Sequence, residues 1–160
     1  MRLRFVWSCL VVAAASTSGL AQQGAPNEGT PQAGPRLKIE RDIEYARSGG
    51  EALTLDLYRQ DSAAAPSAVV VWIHGADPGF VGKAPTPAAA LVSSGFAVAS
   101  IDYRSGAAST IATQVADAKA AVRWLRANAK IYSLDAAHVA ARGYGTGGEV
   151  AAILGTAGEV

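Results

Sequence analysis

The chain has 160 residues, half of them hydrophobic, and a formal net charge of +1. This length and apolar content predict one ordinary globular domain. Because no run of basic residues stands out, we do not expect the chain to bind nucleic acid.

The first 21 residues have the pattern of a secretory signal peptide. Arg2 and Arg4 precede the apolar stretch 5–15, and the small residues that follow predict cleavage after Ala21. The apolar stretch is too short to span a bilayer, so we expect a protein exported to the periplasm or medium, with no membrane span after cleavage. Cleavage would remove Cys9, the only cysteine, and would lower the formal charge from +1 to −1.

Residues 22–36 are rich in proline, glycine and polar side chains, which predicts a flexible linker. The folded domain is therefore expected at residues 37–160. Since the mature chain would hold no cysteine, and since His74 and His138 stand apart from other ligand types, we predict no metal site and no other cofactor.

The first half of the domain has the patterns of β-strands. Apolar residues alternate with polar ones at 39–45 and again at 53–58, on either side of Ser48-Gly49-Gly50, which predicts an antiparallel hairpin with one exposed face. The stretches 68–73 and 96–101 are continuously apolar, as in parallel strands that are covered on both faces.

Two helices are predicted between and after these strands. Pro85 would begin the first, which ends at Ser94. The second has apolar residues three and four apart from 111 to 125, with Ser109 or Thr110 as its N-cap. Strands that alternate with helices predict an α/β fold, with a mostly parallel sheet after the N-terminal hairpin and helices on both of its faces.

The stretch 139–154 predicts a strand, a tight glycine turn and a helix. Gly143 and Gly147 match the two glycines of the G-x-S-x-G nucleophile elbow, Gly148 matches an extra glycine, and Gly145 occupies the place of the serine. Glycine adopts positive φ readily, so the turn can form without serine. Because glycine has no hydroxyl group, covalent acyl transfer cannot take place at this position.

The same glycines allow a second interpretation. Gly143, Gly145 and Gly148 spell G-x-G-x-x-G, the fingerprint of dinucleotide-binding folds. That fingerprint normally opens the first βα unit and is followed, about 20 residues later, by an acidic residue that binds the ribose. The 160 residues contain no such position, so a nucleotide-binding fragment is the less favoured hypothesis.

From about Leu53 onward, the chain resembles the secreted esterase and lipase branch of the α/β-hydrolase superfamily. The matching landmarks, in order, are LTLDLY (53–58), VVVWIHG (69–75), SGFAVASIDYR (94–104), DAKAAVRWLRAN (117–128) and GYGTGG (143–148). The resemblance covers the front half of that family's domain. It implies a truncated α/β-hydrolase fold and, by analogy, hydrolysis of carboxylic esters.

His74 and Gly75 resemble the oxyanion motif of this family, whose backbone N–H groups stabilise the developing negative charge. The resemblance implies donors at Gly75, Ala76 and Asp77, and at Thr146 after the nucleophile position. The Asp77 carboxylate departs from the motif, because it would repel the charge that the loop should stabilise. We interpret His74 itself as a residue that braces the loop.

The remaining catalytic groups are not found. His138 is predicted at the start of the elbow strand, at the opposite end of the sheet from Gly145, and no histidine follows Gly145. Asp102 is interpreted as a solvated loop carboxylate. We therefore expect a hydrolase that is inactive in this form. The alternative is a non-catalytic protein that keeps the pocket for an ester, acyl or sugar ligand.

Two further expectations concern packing. Trp72 and Trp124 are interpreted as core residues rather than as a ligand platform. The elbow strand at 139–141 is expected to form an open edge of the sheet, through which copies of the chain could associate.

Overall fold

The computed structural model describes residues 36–75, 82–83, 88–106 and 109–157. They belong to one unit of the chain, Ala33–Val160, while the other unit, Met1–Gln32, lies outside them. The predicted signal peptide and almost all of the linker are therefore not described and stay predictions. The elements are β1 (Leu37–Ser48), β2 (Glu51–Gln60), β3 (Ser67–Ile73), α1 (Ala88–Ser93), β4 (Ala97–Ile101), α2 (Ile111–Ala127), α3 (Ala129–Tyr132), β5 (Leu134–Gly143) and α4 (Thr146–Thr156).

The five strands form one mixed sheet in the order β1-β2-β4-β3-β5. β1 and β2 form the predicted antiparallel hairpin, which turns at Gly49 and Gly50 with φ angles of 60° and 88°. β2 also pairs antiparallel with β4, whereas β3 lies parallel to β4 on one side and to β5 on the other. The predicted α/β fold, with parallel strands after an N-terminal hairpin, is confirmed.

Helices cover both faces of this sheet, as predicted. The larger core lies beneath α2 and α4, where Val71 and Ile73 of β3 are fully buried. On the opposite face, Val70 and Trp72 pack with Val92 of α1. Because successive side chains of a strand point to opposite faces, the continuous apolar run of β3 follows from its being covered on both. None of the helices in the described part of the chain has the length and apolar character needed to cross a bilayer.

The helix predictions hold with two differences. Thr110 caps α2, and its side chain and that of Thr113 bond each other's backbone N–H groups in a capping box. The helix predicted from Pro85 is observed only at Ala88–Ser93, and Pro85 lies outside the described residues. The short helix α3 was not predicted, because four residues are too few to show a helical period.

The start of the elbow strand was predicted wrongly. β5 begins at Leu134, so His138 lies in the middle of the strand rather than at its start. Asp135 pairs with Ala68 and Val139 with Val69, so the three residues between them bulge out of the ladder. β5 is the last strand in the sheet order, and within the described residues no strand pairs with its outer edge.

Candidate functional site

The glycine turn between β5 and α4 has the backbone of an elbow. Gly145, directly before the helix, has φ 54° and ψ −128°. A positive φ with this ψ is strained for residues that carry a side chain. The turn is closed by the N–H of Gly147, which donates to the Tyr144 carbonyl at 2.9 Å, and by that of Gly148, which donates to the Gly145 carbonyl at 3.0 Å. Gly145 therefore stands at the apex of a tight turn, in the place expected from the sequence.

The two flanking glycines are required by close backbone contacts. A Cβ on Gly143 would lie 2.1 Å from the carbonyl oxygen of Gly147. A Cβ on Gly147 would lie 2.2 Å from the carbonyl oxygen of Ile73 and 2.3 Å from that of His74. No side chain fits at such distances. The first turn of α4 therefore lies directly against the end of β3, where the His74-Gly75 segment begins.

His74 is held in place at several points. Its side chain is 5% exposed, and its Nδ1 lies 2.8 Å from the Gly75 carbonyl oxygen. The carbonyl of His74 accepts a hydrogen bond of 2.5 Å from the Tyr103 hydroxyl, and the two rings stack with centroids 4.6 Å apart. This environment agrees with the interpretation of His74 as a brace for the segment that follows β3.

The expected oxyanion donors are described only in part. Gly75 and Thr146 belong to the described residues, and the packing of Gly147 against the His74 carbonyl brings their two segments together. Ala76 and Asp77 lie outside the described residues. The described part of the site would therefore allow the backbone N–H groups of Gly75 and Thr146 to bind an anion between the end of β3 and the start of α4. We call this pair of backbone donors the anion cradle.

Asp102 lies in the loop directly after β4 with its side chain 38% exposed, as expected for a solvated loop carboxylate, but it also contacts three polar side chains. Its Oδ1 lies 3.9 Å from Nε2 of His74, and its Oδ2 lies 3.6 Å from the Lys83 ammonium and accepts a 3.4 Å hydrogen bond from Thr54. Thr54 lies in β2, whereas Asp102 and His74 directly follow the neighbouring strands β4 and β3, so these side chains meet at one end of the sheet. The sequence could not show this contact because the three strands are neighbours only after folding.

Lys83 forms the centre of this polar cluster, and sequence reasoning missed it. Its side chain is 11% exposed, and its ammonium contacts Asp42, lies 3.0 Å from Asp56 and donates to the Thr54 hydroxyl at 3.0 Å. The Lys83 carbonyl also accepts a hydrogen bond from Ser100. Burial lowers the pKa of Lys83, but its bonds to Asp42 and Asp56 outweigh that effect and hold the pKa above its ordinary value.

Asp56 is the buried anion of the same cluster. In addition to Lys83, it accepts hydrogen bonds of 3.0 Å from the Asp42 N–H and from the Arg41 guanidinium. Asp42 has φ 54° at a bulge in β1, so Asp56 stabilises a strained backbone. Burial raises the pKa of Asp56, but the bonds from Asp42 and Lys83 outweigh it and leave the pKa below its ordinary value.

The described residues provide no general base at the elbow. His138, whose side chain is 74% exposed, pairs with Asp135 at 2.7 Å in the bulge of β5. The two ring nitrogens of His74 lie beside the Gly75 carbonyl and Asp102. Among the described residues, no three His, Cys, Asp or Glu side chains are grouped so that they could hold a metal ion.

Trp72 and Trp124 occupy packing positions. Trp72 is 8% exposed in the smaller core, and the Arg142 guanidinium lies 5.7 Å from its ring centroid. Trp124 is half-buried and packs against Tyr132, with ring centroids 5.5 Å apart. Both belong to the cores of the fold, as the sequence suggested.

Comparison with known families identifies the family of the chain. Residues 55–160 match the model of the BD-FAE family. The chain belongs to that family. The match includes the buried strands, the His74-Gly75 segment and the glycine turn, in agreement with an α/β-hydrolase relationship. The nucleotide-binding alternative stays an untested hypothesis. No curated protein matches the chain significantly.

Solved structures agree with the family. A thermophilic esterase from the Planctomycetes species Thermogutta terrifontis is 25% identical, with a TM-score of 0.59 over 76% of this chain and 44% of the esterase. A bacterial heroin esterase is 27% identical, with a TM-score of 0.52 over 75% of this chain and 38% of its own. A bifunctional GH43-CE protein from Bacteroides eggerthii is 34% identical, with a TM-score of 0.66 over 76% of this chain and 16% of that protein. The chain thus spans less than half the length of these proteins.

Proposed function

We propose that the 160-residue chain keeps the scaffold of an esterase but does not hydrolyse esters. The observation that carries the proposal is Gly145 at the apex of the elbow, with φ 54° and no hydroxyl group to attack a carbonyl carbon. A serine nucleophile also needs a histidine base within hydrogen-bond reach, and of the described histidines His138 lies in the bulge of β5 while His74 lies beside the Gly75 carbonyl and Asp102. The elbow in the described residues therefore has neither the nucleophile nor the base of covalent acyl transfer.

Hydrolysis of p-nitrophenyl acetate and p-nitrophenyl butyrate tests this proposal. We expect the rate with purified chain to equal that of the heat-denatured chain at the same concentration. An active family esterase, assayed in parallel, shows that the substrates and conditions are suitable. A saturable rate that scales with the concentration of folded chain would contradict the proposal.

A second candidate function is binding of a small carboxylate or acyl ligand without cleavage. The specific observation in its favour is that the elbow and the segment after β3 pack together although the nucleophile is missing, since a Cβ on Gly147 would meet both the Ile73 and the His74 carbonyl oxygens. Structures of the Thermogutta terrifontis esterase are described as propionate-bound and butyrate-bound. Backbone N–H groups at the start of α4 would be suitable donors for binding a carboxylate in this chain as well.

Titration with butyrate tests the second candidate. Butyrate binding should shift the backbone amide resonances of Gly75 and Thr146 in a saturable manner. Butanol, which has the same chain length but no charge, is the control and should leave both resonances in place. If butyrate shifts neither resonance, or if butanol shifts both equally, the site does not bind carboxylates.

A further inference from the structure

Tyr103 contacts both backbone segments of the candidate site. Its side chain is buried, and its hydroxyl donates to the His74 carbonyl at 2.5 Å. The same hydroxyl is hydrogen-bonded to the side chain of Thr146, the first residue of α4. Because the Tyr103 hydroxyl already donates its one proton to the His74 carbonyl, the Thr146 hydroxyl is the donor in this second bond. One hydroxyl thus joins the residue before Gly75 to the residue after Gly145.

The backbone around Tyr103 is fixed on both sides. The N–H of Asp102 donates to the Thr54 carbonyl of β2 at 2.9 Å. Arg104 forms three hydrogen bonds with the buried carboxylate of Asp117 on α2, through its backbone N–H at 3.1 Å, its Nε at 2.9 Å and its Nη2 at 2.7 Å. Such bidentate arginine–carboxylate pairs are geometrically specific. The backbone from which Tyr103 projects is therefore held by β2 on one side and by α2 on the other.

The protonation of Tyr103 suits this position. Burial raises the pKa of its hydroxyl above the ordinary value, although the hydrogen bond with Thr146 opposes that effect. The hydroxyl therefore stays protonated at neutral pH and continues to donate to the His74 carbonyl. The stacked imidazole of His74 fixes the plane of the phenol ring as well.

We propose that Tyr103 is a positioning residue that sets the spacing between the two backbone segments that form the anion cradle, at Gly75 and at Thr146. The inference rests on the proposed binding of a carboxylate at this site, and it names the group that preorganises the site. Backbone donors stabilise an anion only when they are held in place beforehand, because otherwise binding must also order them.

Tyr45 offers a matched control. It is also buried, at 7% exposure, and its hydroxyl also donates to a backbone carbonyl, that of Asp102, at 2.5 Å. Tyr45→Phe and Tyr103→Phe thus remove the same hydroxyl from the same kind of bond. If Tyr103 only contributes to stability, the two variants should behave alike at the candidate site.

The experiment measures the butyrate dissociation constant and, without ligand, amide hydrogen exchange at Gly75 and Thr146. Tyr103→Phe should weaken butyrate binding about tenfold, the effect of one lost hydrogen bond, and should speed exchange at both amides. Tyr45→Phe removes one bond from the peptide between Asp102 and Tyr103, while the Asp102 N–H and Arg104 still hold that backbone, so it should change the dissociation constant and both exchange rates clearly less than Tyr103→Phe does. Thr146→Val should speed exchange of the amide at position 146 but not at Gly75. Thr146→Ser, which keeps a hydroxyl, should show the exchange rate of the unaltered chain at position 146.

The two readouts separate this inference from the function on which it rests. If the unaltered chain does not bind butyrate, the carboxylate-binding function fails, and the exchange rates alone decide the role of Tyr103. Equal exchange at both amides in Tyr103→Phe and in the unaltered chain would overturn the positioning role. So would equal effects of Tyr103→Phe and Tyr45→Phe on exchange at these two amides.

Discussion

Gly147 lies so close to the end of β3 that a Cβ on it would be 2.2 Å from the carbonyl oxygen of Ile73. This contact joins the first turn of α4 to the strand from which the His74-Gly75 segment continues. It explains in steric terms why the second glycine of the elbow is present although the nucleophile is not. The contact belongs to the packing of the fold, and the chemistry of a serine at position 145 is separate from it.

Gly147→Ala should therefore destabilise the chain severely. Since a Cβ would meet two carbonyl oxygens, α4 must move, and we expect a loss of about 3 kcal/mol or more in the free energy of unfolding. Gly155→Ala is the matched control, because a Cβ there meets nothing within 4 Å. It lies in the same helix and should stabilise the chain by up to about 1 kcal/mol. Chemical denaturation followed by circular dichroism compares the two, and a Gly147→Ala variant as stable as Gly155→Ala would contradict the contact.

Most of the fold could be predicted from the sequence because its local patterns are strong. The continuous apolar run of β3 and the N-cap of α2 are signals within a few residues, and the sequence identified the first and narrowed the second to Ser109 or Thr110. The elbow was predicted for the same reason, since Gly143 and Gly147 are close in sequence as well as in space. Local signals of this kind do not depend on which strands become neighbours.

The polar cluster around Lys83 could not be predicted because it depends on strand order. Asp56 and Asp102 come from β2 and from the end of β4, which are neighbours only because β4 lies between β2 and β3. The bulge at His138 was missed for a similar reason. It follows from the pairing of β5 with β3, where Asp135 and Val139 take consecutive partners.

Asp56→Asn should lower stability and flatten its dependence on pH. The native pKa of Asp56 is below the ordinary value, so the carboxylate contributes stability above its unfolded pKa of about 3.9 and loses it as the pH falls through the native pKa. Near neutral pH we expect a loss of about 2 kcal/mol, because Lys83 keeps its other partners. The difference between the variant and the unaltered chain should shrink toward about pH 3.

Unfolding by urea at several pH values measures this difference. Glu44→Gln is the control, because it breaks an exposed ion pair with Arg47 at 2.7 Å and should cost less than about 1 kcal/mol. If Asp56→Asn were no more destabilising than Glu44→Gln near neutral pH, the buried cluster would not contribute as described.

Gly145→Ser alone should not restore an efficient esterase. Among the described residues no histidine base stands beside the new hydroxyl at the elbow, and a serine without its base gives only weak residual catalysis. We expect kcat for p-nitrophenyl butyrate to stay far below the order of 10 s⁻¹ that is typical of enzymes. Since φ is 54° at this position, serine should also reduce stability. A kcat within about tenfold of the typical value would show that a base is present after all.

The outer edge of β5 should promote self-association. Within the described residues no strand pairs with it, and such an edge presents unpaired N–H and C=O groups to other chains. We expect the chain to elute from size-exclusion chromatography above its monomer mass or to aggregate with rising concentration. Ala140→Lys places a charge on the exposed part of β5 and should shift the chain toward monomer, whereas Ala152→Lys on the exposed face of α4 should not. A soluble monomer at all concentrations would contradict this expectation.

The absence of a nucleophile at the elbow is tested most directly by intact-mass spectrometry after incubation with a fluorophosphonate. The reagent forms a covalent adduct with an activated serine, so an active family esterase should gain one adduct in the same reaction. The chain with Gly145 should keep its unmodified mass, and the same treatment of Gly145→Ser should give at most slow, partial labelling. Rapid, stoichiometric labelling of the unaltered chain would mean that another residue acts as nucleophile, and the proposal of a non-hydrolytic esterase scaffold would be wrong.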